Sequence, residues 1–289
     1  HGMFAFAVWD DTRQRLLLAR DRLGKKPLVY AEHAGRLSFA SEIRPLLLDP
    51  GLSREMDLQA LDAYLTYLAI PAPFTIYRGV RKLPPGHVLA FENGIARLRR
   101  YWDLAFLPKF EGSEEEAAGR LEDLLTDAVR RRLVSDVPLG VFLSGGVDSS
   151  VVTALMARLL DRPVKTFSIG FEERGYNELP AAGALVRTFG FDHHEFVVKP
   201  KAVEVLPTLV EHFGEPFADS SAIPTYYLSQ FTRQHVTVAR TGDGGDELFA
   251  GYGRHLANRL AERWQRLPRL LQSAAVGVVR AAVPASADP

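Results

Sequence analysis

Leu143-Ser144-Gly145-Gly146-Val147-Asp148-Ser149-Ser150 falls where an apolar run, 139–143, gives way to a helical pattern over 149–160. A strand that turns into a helix through two glycines folds tightly and presents successive backbone N–H groups at a helix N-terminus, an arrangement that holds anions. The hydroxyls of Ser144 and Ser149 flank those groups. The stretch has no lysine, so it is not a Walker A loop. What remains is an anion cradle suited to a pyrophosphate leaving group, with Asp148 placed to hold Mg2+ on the phosphates. The plain alternative is a tight turn in which Asp148 or Ser149 only caps the helix.

Outward from that loop, strand patterns at 164–169, 195–198 and 236–239 alternate with helical patterns at 178–189, 202–213, 222–233 and 247–263. Upstream, Ser113 and Glu116 form a capping box that opens a helix running to about Leu133. Such alternation predicts an α/β fold with a doubly wound parallel sheet, whose ligands bind outside the carboxyl ends of the strands. The chemistry is therefore expected just after residues 143, 169 and 240, with turns at Ser144, Gly170 and Gly242.

The third of these positions holds Thr241-Gly242-Asp243-Gly244-Gly245-Asp246-Glu247, three carboxylates and three glycines in one turn. So much negative charge beside a phosphate loop repels a nucleotide unless a divalent cation bridges them. An ordinary acidic surface turn is the competing reading.

These motifs carry a resemblance. S-G-G-x-D-S is the signature of the PP-loop ATP pyrophosphatases, and G-D-G-G-D-E-L-F-A-G-Y-G-R, 242–254, resembles the glutamine-hydrolysing asparagine synthetases within that group. The resemblance implies an adenine nucleotide alpha-hydrolase-like domain that binds ATP and Mg2+. It places Ser144, Gly145, Gly146 and Ser149 on the pyrophosphate and Leu143 and Ile169 against the adenine. Thr241 and Gly242 would contact the nucleotide and Asp243 the acyl-adenylate, while Asp148 and Asp246 would lie by the metal. Catalysis would rest on Asp243, Asp148 and Asp246. For Leu143 and Ile169, a purely core role is equally compatible with the sequence. Tyr176-Asn177-Glu178, Asp192–Glu195 and 214–221 also resemble bacterial members. Adjacent His193 and His194 point to opposite faces of a strand, which argues against a shared metal. Asp219, Ser220 and Ser221 either face substrate or cap the next helix.

Residues 1–103 show short apolar runs between turn signals, including Asn93-Gly94 as a hairpin turn, and read as β-rich. Asp57 is placed to cap a helix over 57–68. Residues 2–10, 20–28 and 39–43 resemble the last part of a class II glutamine amidotransferase domain of the N-terminal-nucleophile kind. The expected organisation is a partial amidotransferase domain, 1–103, a linker, 104–112, and a synthetase domain, 113–289. The chain has no cysteine and opens at His1 directly into an apolar run. The expectation is a fragment whose glutaminase nucleophile, like the family's late catalytic lysine, lies outside it.

Composition narrows the function classes. Lys and Arg number 35 and Asp and Glu 35, a formal net charge of zero, so no global field draws the chain to nucleic acid or membrane. The apolar stretch 270–283 is interrupted by Gln272, Ser273 and Arg280, short of the roughly 20 apolar residues a bilayer requires. Small-molecule substrates in the cytoplasm are therefore expected: aspartate or a related carboxylate, with ammonia or glutamine. A homodimer is compatible with this. The resulting reading is ATP-dependent amidation of a carboxylate through an acyl-adenylate. Alternatives are amidation of a polysaccharide or natural-product carboxylate, closure of a β-lactam, tRNA thiolation, and non-catalytic nucleotide binding. Zero net charge and the missing cysteine argue against the tRNA reading.

Overall fold

A computed structural model of the chain describes residues 2–171, 178–199, 202–269 and 271–273. In chain order the first elements are β1 (Ala5–Asp10), β2 (Arg15–Arg20), β3 (Val29–His33), β4 (Arg36–Ala40), α1 (Ile43–Leu46), α2 (Leu58–Tyr67), β5 (Arg81–Lys82), β6 (His87–Glu92) and β7 (Ile95–Arg100). There follow α3 (Glu114–Leu133), β8 (Leu139–Phe142), α4 (Val147–Leu159), β9 (Lys165–Phe171), α5 (Leu179–Phe189) and β10 (Asp192–Val198). The last are α6 (Ala202–Phe213), α7 (Ala222–Thr232), β11 (Val238–Arg240), α8 (Gly245–Phe249) and α9 (Gly253–Gln265). Two compact units result, His1–Arg120 with Val198–Phe231, and Leu121–Val197 with Thr232–Pro289.

The first unit contains an antiparallel sheet ordered β1-β2-β6-β7 and a smaller one ordered β4-β3-β5. Asn93 and Gly94 both have positive φ, 52° and 75°, as a two-residue hairpin turn of the primed type requires, and Glu92 pairs with Ile95 across it. Leu18, Leu28, Tyr30, Leu83 and Leu89 form the buried core beneath. Asp57 accepts hydrogen bonds from the N–H groups of Gln59 and Ala60, the cap expected of it.

Asp21 is 2% exposed, and its carboxylate accepts from the backbone N–H groups of Phe4, Leu23, Lys25 and Lys26 at 2.9 to 3.2 Å. Burial works to raise its pKa, but the four donors together hold it below the ordinary carboxylate value. A depressed folded-state pKa adds stability that is fully present above the unfolded value, about 3.9, and is lost as pH falls through the folded one. Asp21→Asn turns an amide NH2 toward those donors and is expected to cost about 2 to 4 kcal/mol at pH 7. Urea unfolding checks this, and the gap between variant and parent should begin to narrow below about pH 4 and close only as pH falls through the lower folded-state pKa.

In the second unit the sheet is ordered β10-β9-β8-β11, with β8 parallel to both β9 and β11. The chain steps outward from β8 to β9 to β10 and then returns to the other side of β8. Right-handed crossovers place connections that run in opposite directions on opposite faces, so the sheet is doubly wound and its switch point lies between β8 and β11. On one side Val129 of α3, Leu155 and Met156 of α4 and Ala182 of α5 pack with Val141, Leu143 and Val164.

Several boundaries differ from the expectation. Helix α4 starts at Val147 because Gly146 takes the cap position, with no side-chain cap bond. Strand β9 continues through Gly170 to Phe171, so no turn falls at Gly170. The β-forming Ile169 and Phe171 on either side carry the extended conformation across it. The segment that follows, with Tyr176 and Asn177, lies outside the described residues. The helix expected over 247–263 is two helices. Ala250 closes α8 in the left-handed conformation, φ 59°, and Gly251 and Gly253 each weaken a continuous helix by about 1 kcal/mol.

Candidate active site

Leu143, just past β8, is fixed to β9 from both sides. Its N–H donates to the Phe167 carbonyl at 2.9 Å, and its carbonyl accepts from the Ser168 hydroxyl. Its side chain is 1% exposed and packs in the core with Val141 and Val164. Ile169, on the same β9, is half-buried.

Beyond Leu143 the loop is knitted internally. The hydroxyls of Ser144 and Ser149 bond each other at 2.9 Å, and the Ser144 hydroxyl also accepts from the Gly146 N–H at 3.2 Å. Ser149 is buried, so its hydroxyl holds the loop's shape from inside. Gly145 has φ +81°, and a β-carbon there would lie 2.6 Å from the Ala181 β-carbon and 2.7 Å from the Ala182 nitrogen. The loop therefore rests on the start of α5, against alanines that leave room for it. Asp148 sits in the first turn of α4, where it complements the helix dipole without capping it. The capping alternative fails, because Gly146 occupies that place.

The loop after β11 approaches the same point. A β-carbon on Gly242 would lie 2.6 Å from the Ser149 nitrogen and 2.9 Å from the Asp148 carbonyl carbon, so only a glycine fits on the amino end of α4. At Gly245 a β-carbon would run into the Asp148 carboxylate itself. The Thr241 hydroxyl donates to the Asp243 carboxylate at 2.8 Å, and Asp243 is exposed. Asp246 is half-buried, with its carboxylate against the α-carbon of Gly251.

Ser144, Gly145, Gly146, Asp148, Ser149 and Gly242 thus meet at the switch point, with Thr241 and Asp243 on the adjoining loop. The Leu143 side chain is turned into the core, and the Asp246 carboxylate is turned to Gly251. Sequence reasoning missed Ser168, which ties β9 to Leu143, and Gly245, which gives the Asp148 carboxylate its place. The only available signal was the doubled glycine of Asp243-Gly244-Gly245-Asp246.

The donors available decide what cation the site suits. Among the described residues there is no cluster of three or more His, Asp or Glu set to hold a metal. Asp148 supplies one carboxylate beside the 144–149 loop, and one or two carboxylates are how Mg2+ is commonly held when substrate phosphates complete its shell. The residues fit that mode and not an all-protein cage. His193 and His194 have different partners. His193 bonds the Thr166 hydroxyl at 2.7 Å, while His194 stacks on Phe167 and meets His235 at a tilt. Burial holds the His193 pKa below its ordinary value, although Glu195 stands 3.2 Å away. In the first unit, the Asp219 carboxylate accepts from the Ser221 N–H at 2.8 Å and the Asp219 carbonyl from Ala222, which favours the capping reading.

A doubly wound parallel sheet whose first loop is a lysine-free glycine turn at a helix amino end, and whose fourth strand delivers an acidic glycine-rich turn to the same point, is the arrangement of the PP-loop class of domains. Residues 120–288 match the asparagine synthase family and residues 1–102 the glutamine amidotransferase domain family, and the chain belongs to the asparagine synthase family. Asparagine synthetase 1 (glutamine-hydrolysing) of Bacillus subtilis is 35% identical over 92% of this chain and 42% of its own length. A putative asparagine synthetase 2 of Methanocaldococcus jannaschii is 36% identical over 94% of this chain and 54% of its own. An amidase of Gibberella zeae is 31% identical over 93% and 43%. The chain thus spans about half the length of these relatives. A glutamine-dependent NAD+ synthetase from Acinetobacter baumannii has 15% identity and a TM-score of 0.36, covering 86% of this chain and 61% of that one, too slight a likeness to bear on function. Among the described residues no helix is long and apolar enough to cross a membrane.

Proposed function

We propose that this chain forms part of an enzyme that uses ATP to amidate a carboxylate, with aspartate giving asparagine and glutamine supplying the ammonia. The observation that supports this most directly is the seating of Gly242 and Gly245 on Ser149 and Asp148, which joins an anion-binding loop to an acidic loop at the sheet's switch point. A carboxylate oxygen attacks the α-phosphorus of ATP and displaces pyrophosphate. Ammonia then attacks the acyl carbon, and AMP leaves.

The chain's residues act on charge and position. The amino end of α4, beside the Gly145–Gly146 turn, receives the pyrophosphate, and Ser144 and Ser149 hold that backbone in shape. Leu143 and Ile169 flank the adenine from β8 and β9, Leu143 through its backbone since its side chain is in the core. Thr241 and Gly242 contact the nucleotide, and Thr241 orients Asp243 toward the acyl-adenylate through its hydroxyl. Asp148 would hold Mg2+, joined by Asp246 once its carboxylate turns away from Gly251, and the metal would supply neutralisation of the phosphate oxygens. In this reading 1–103 is the amidotransferase portion, 104–112 a linker and 113–289 the synthetase portion, acting on small molecules in the cytoplasm. Amidation of another carboxylate is the second reading.

Pyrophosphate and AMP release by the full-length protein, assayed with ammonium and a panel of carboxylates, tests both. Aspartate-dependent release supports the first reading and release with a different carboxylate the second. Release driven by tRNA, or by none of these, removes both.

A further inference from the structure

Strands β8 and β9 pair at Val141 opposite Thr166 and at Phe142 opposite Phe167, and the pairing stops there. β9 itself stays extended to Phe171, with β10 on its other side. The next two residues in register are Leu143 and Ser168. The first bond of that pair is made, from the Leu143 N–H to the Phe167 carbonyl at 2.9 Å. In a regular parallel ladder the Leu143 carbonyl would then accept from the Ile169 N–H. It accepts instead from the side-chain hydroxyl of Ser168.

Burial explains why the hydroxyl takes this partner. Ser168 and Leu143 are 3% and 1% exposed, and a hydroxyl shut away from water without an acceptor is costly. Thr166, the other buried hydroxyl of β9, bonds His193 of β10 and leaves its own pairing with Val141 intact. The difference lies in the acceptor, because a backbone carbonyl engaged by a side chain is withdrawn from the sheet. The ladder therefore ends at the residue before Ser144. The Phe167 carbonyl faces β8, and alternate residues of a parallel strand face the same neighbour, so the Ile169 N–H is directed into the opening between the two strand ends.

From this geometry we infer that Ser168 is a positioning residue. By holding the Leu143 carbonyl it keeps the Ile169 N–H out of the sheet and available to donate to a ring nitrogen of the adenine. Its effect on the nucleotide rests on the proposed function, and its effect on the ladder does not.

The test uses the full-length protein with Ser168→Ala, and with Ser168→Cys as a second variant whose thiol donates only weakly. In the nucleotide-free protein, amide hydrogen exchange at Ile169 is expected to slow about tenfold in both, because its N–H gains the Leu143 carbonyl. A merely structural hydroxyl would give the opposite sign, since loosening the strand ends accelerates exchange. Unchanged or faster exchange at Ile169 overturns the inference. In pyrophosphate release, KM for ATP should rise about tenfold with kcat within about twofold, the pattern of lost ground-state binding. Affinity for inorganic pyrophosphate, which has no base, should stay parental. A parental KM, or an equal loss of pyrophosphate affinity, overturns the positioning role. If the parent shows no ATP-dependent pyrophosphate release, the proposed function fails, while exchange at Ile169 still decides whether Ser168 ends the ladder.

Discussion

Asp148→Ala in the full-length protein is expected to lower pyrophosphate release a thousandfold or more while leaving the fold intact. Asp148 stands in the first turn of α4, its carboxylate against Gly245 at the point where the two loops meet. Removing a carboxylate that holds a cation on phosphates strips out a charge interaction of several kcal/mol at the step where pyrophosphate charge develops. The structural side of the change is small. Alanine is the best helix former, and the lost favourable interaction with the helix dipole amounts to about 0.3 to 1 kcal/mol. Activity and melting temperature should therefore separate, and Asp148→Asn should be nearly as inactive, since an amide carries no charge for the metal. Substantial turnover by either variant would remove Asp148 from the chemistry. A collapse of the melting temperature in both would assign it to the scaffold.

The largest stability loss is expected at Gly145→Val. The position combines a left-handed backbone, φ +81°, with a space already occupied by Ala181 and by the Ala182 amide. A β-branched residue in that conformation costs about 1 to 3 kcal/mol, and forcing atoms into packed backbone about 1 to 3 more, so the sum is about 2 to 6 kcal/mol. Gly190→Ala is the matched control. Gly190 closes α5 at φ +67°, and a β-carbon added there would meet nothing within 4 Å, so only the conformational part, about 1 kcal/mol, applies. Urea midpoints of the two variants measure the difference. Equal losses would mean that the phosphate-type loop does not rest on α5.

The features legible in advance were those whose cause is local. Asn93-Gly94 turns because both residues tolerate positive φ, and the strands on each side follow in register. Ser113 and Glu116 exchange their two bonds, 3.2 and 2.7 Å, because a capping box closes within four residues. The break at Ala250-Gly251 was missed, since an alanine in the left-handed conformation gives no warning in the letters. The start of α4 was misplaced by two residues for a similar reason. Gly146 caps it without a side chain, so no Ser, Thr, Asp or Asn marked the spot.

By itself the sequence determined the alternation of strands and helices, the glycine turn of 144–149 and the acidity of 241–247, because periodicity, backbone freedom and charge reside in consecutive residues. Only the tertiary structure decided that Gly242 and Gly245 lie on Ser149 and Asp148, that the Leu143 side chain packs in the core, and that 198–231 leaves one unit to pack with the other. Those outcomes depend on which distant segments exclude water from each other most completely. That is a property of pairs of surfaces, which no single stretch of chain contains.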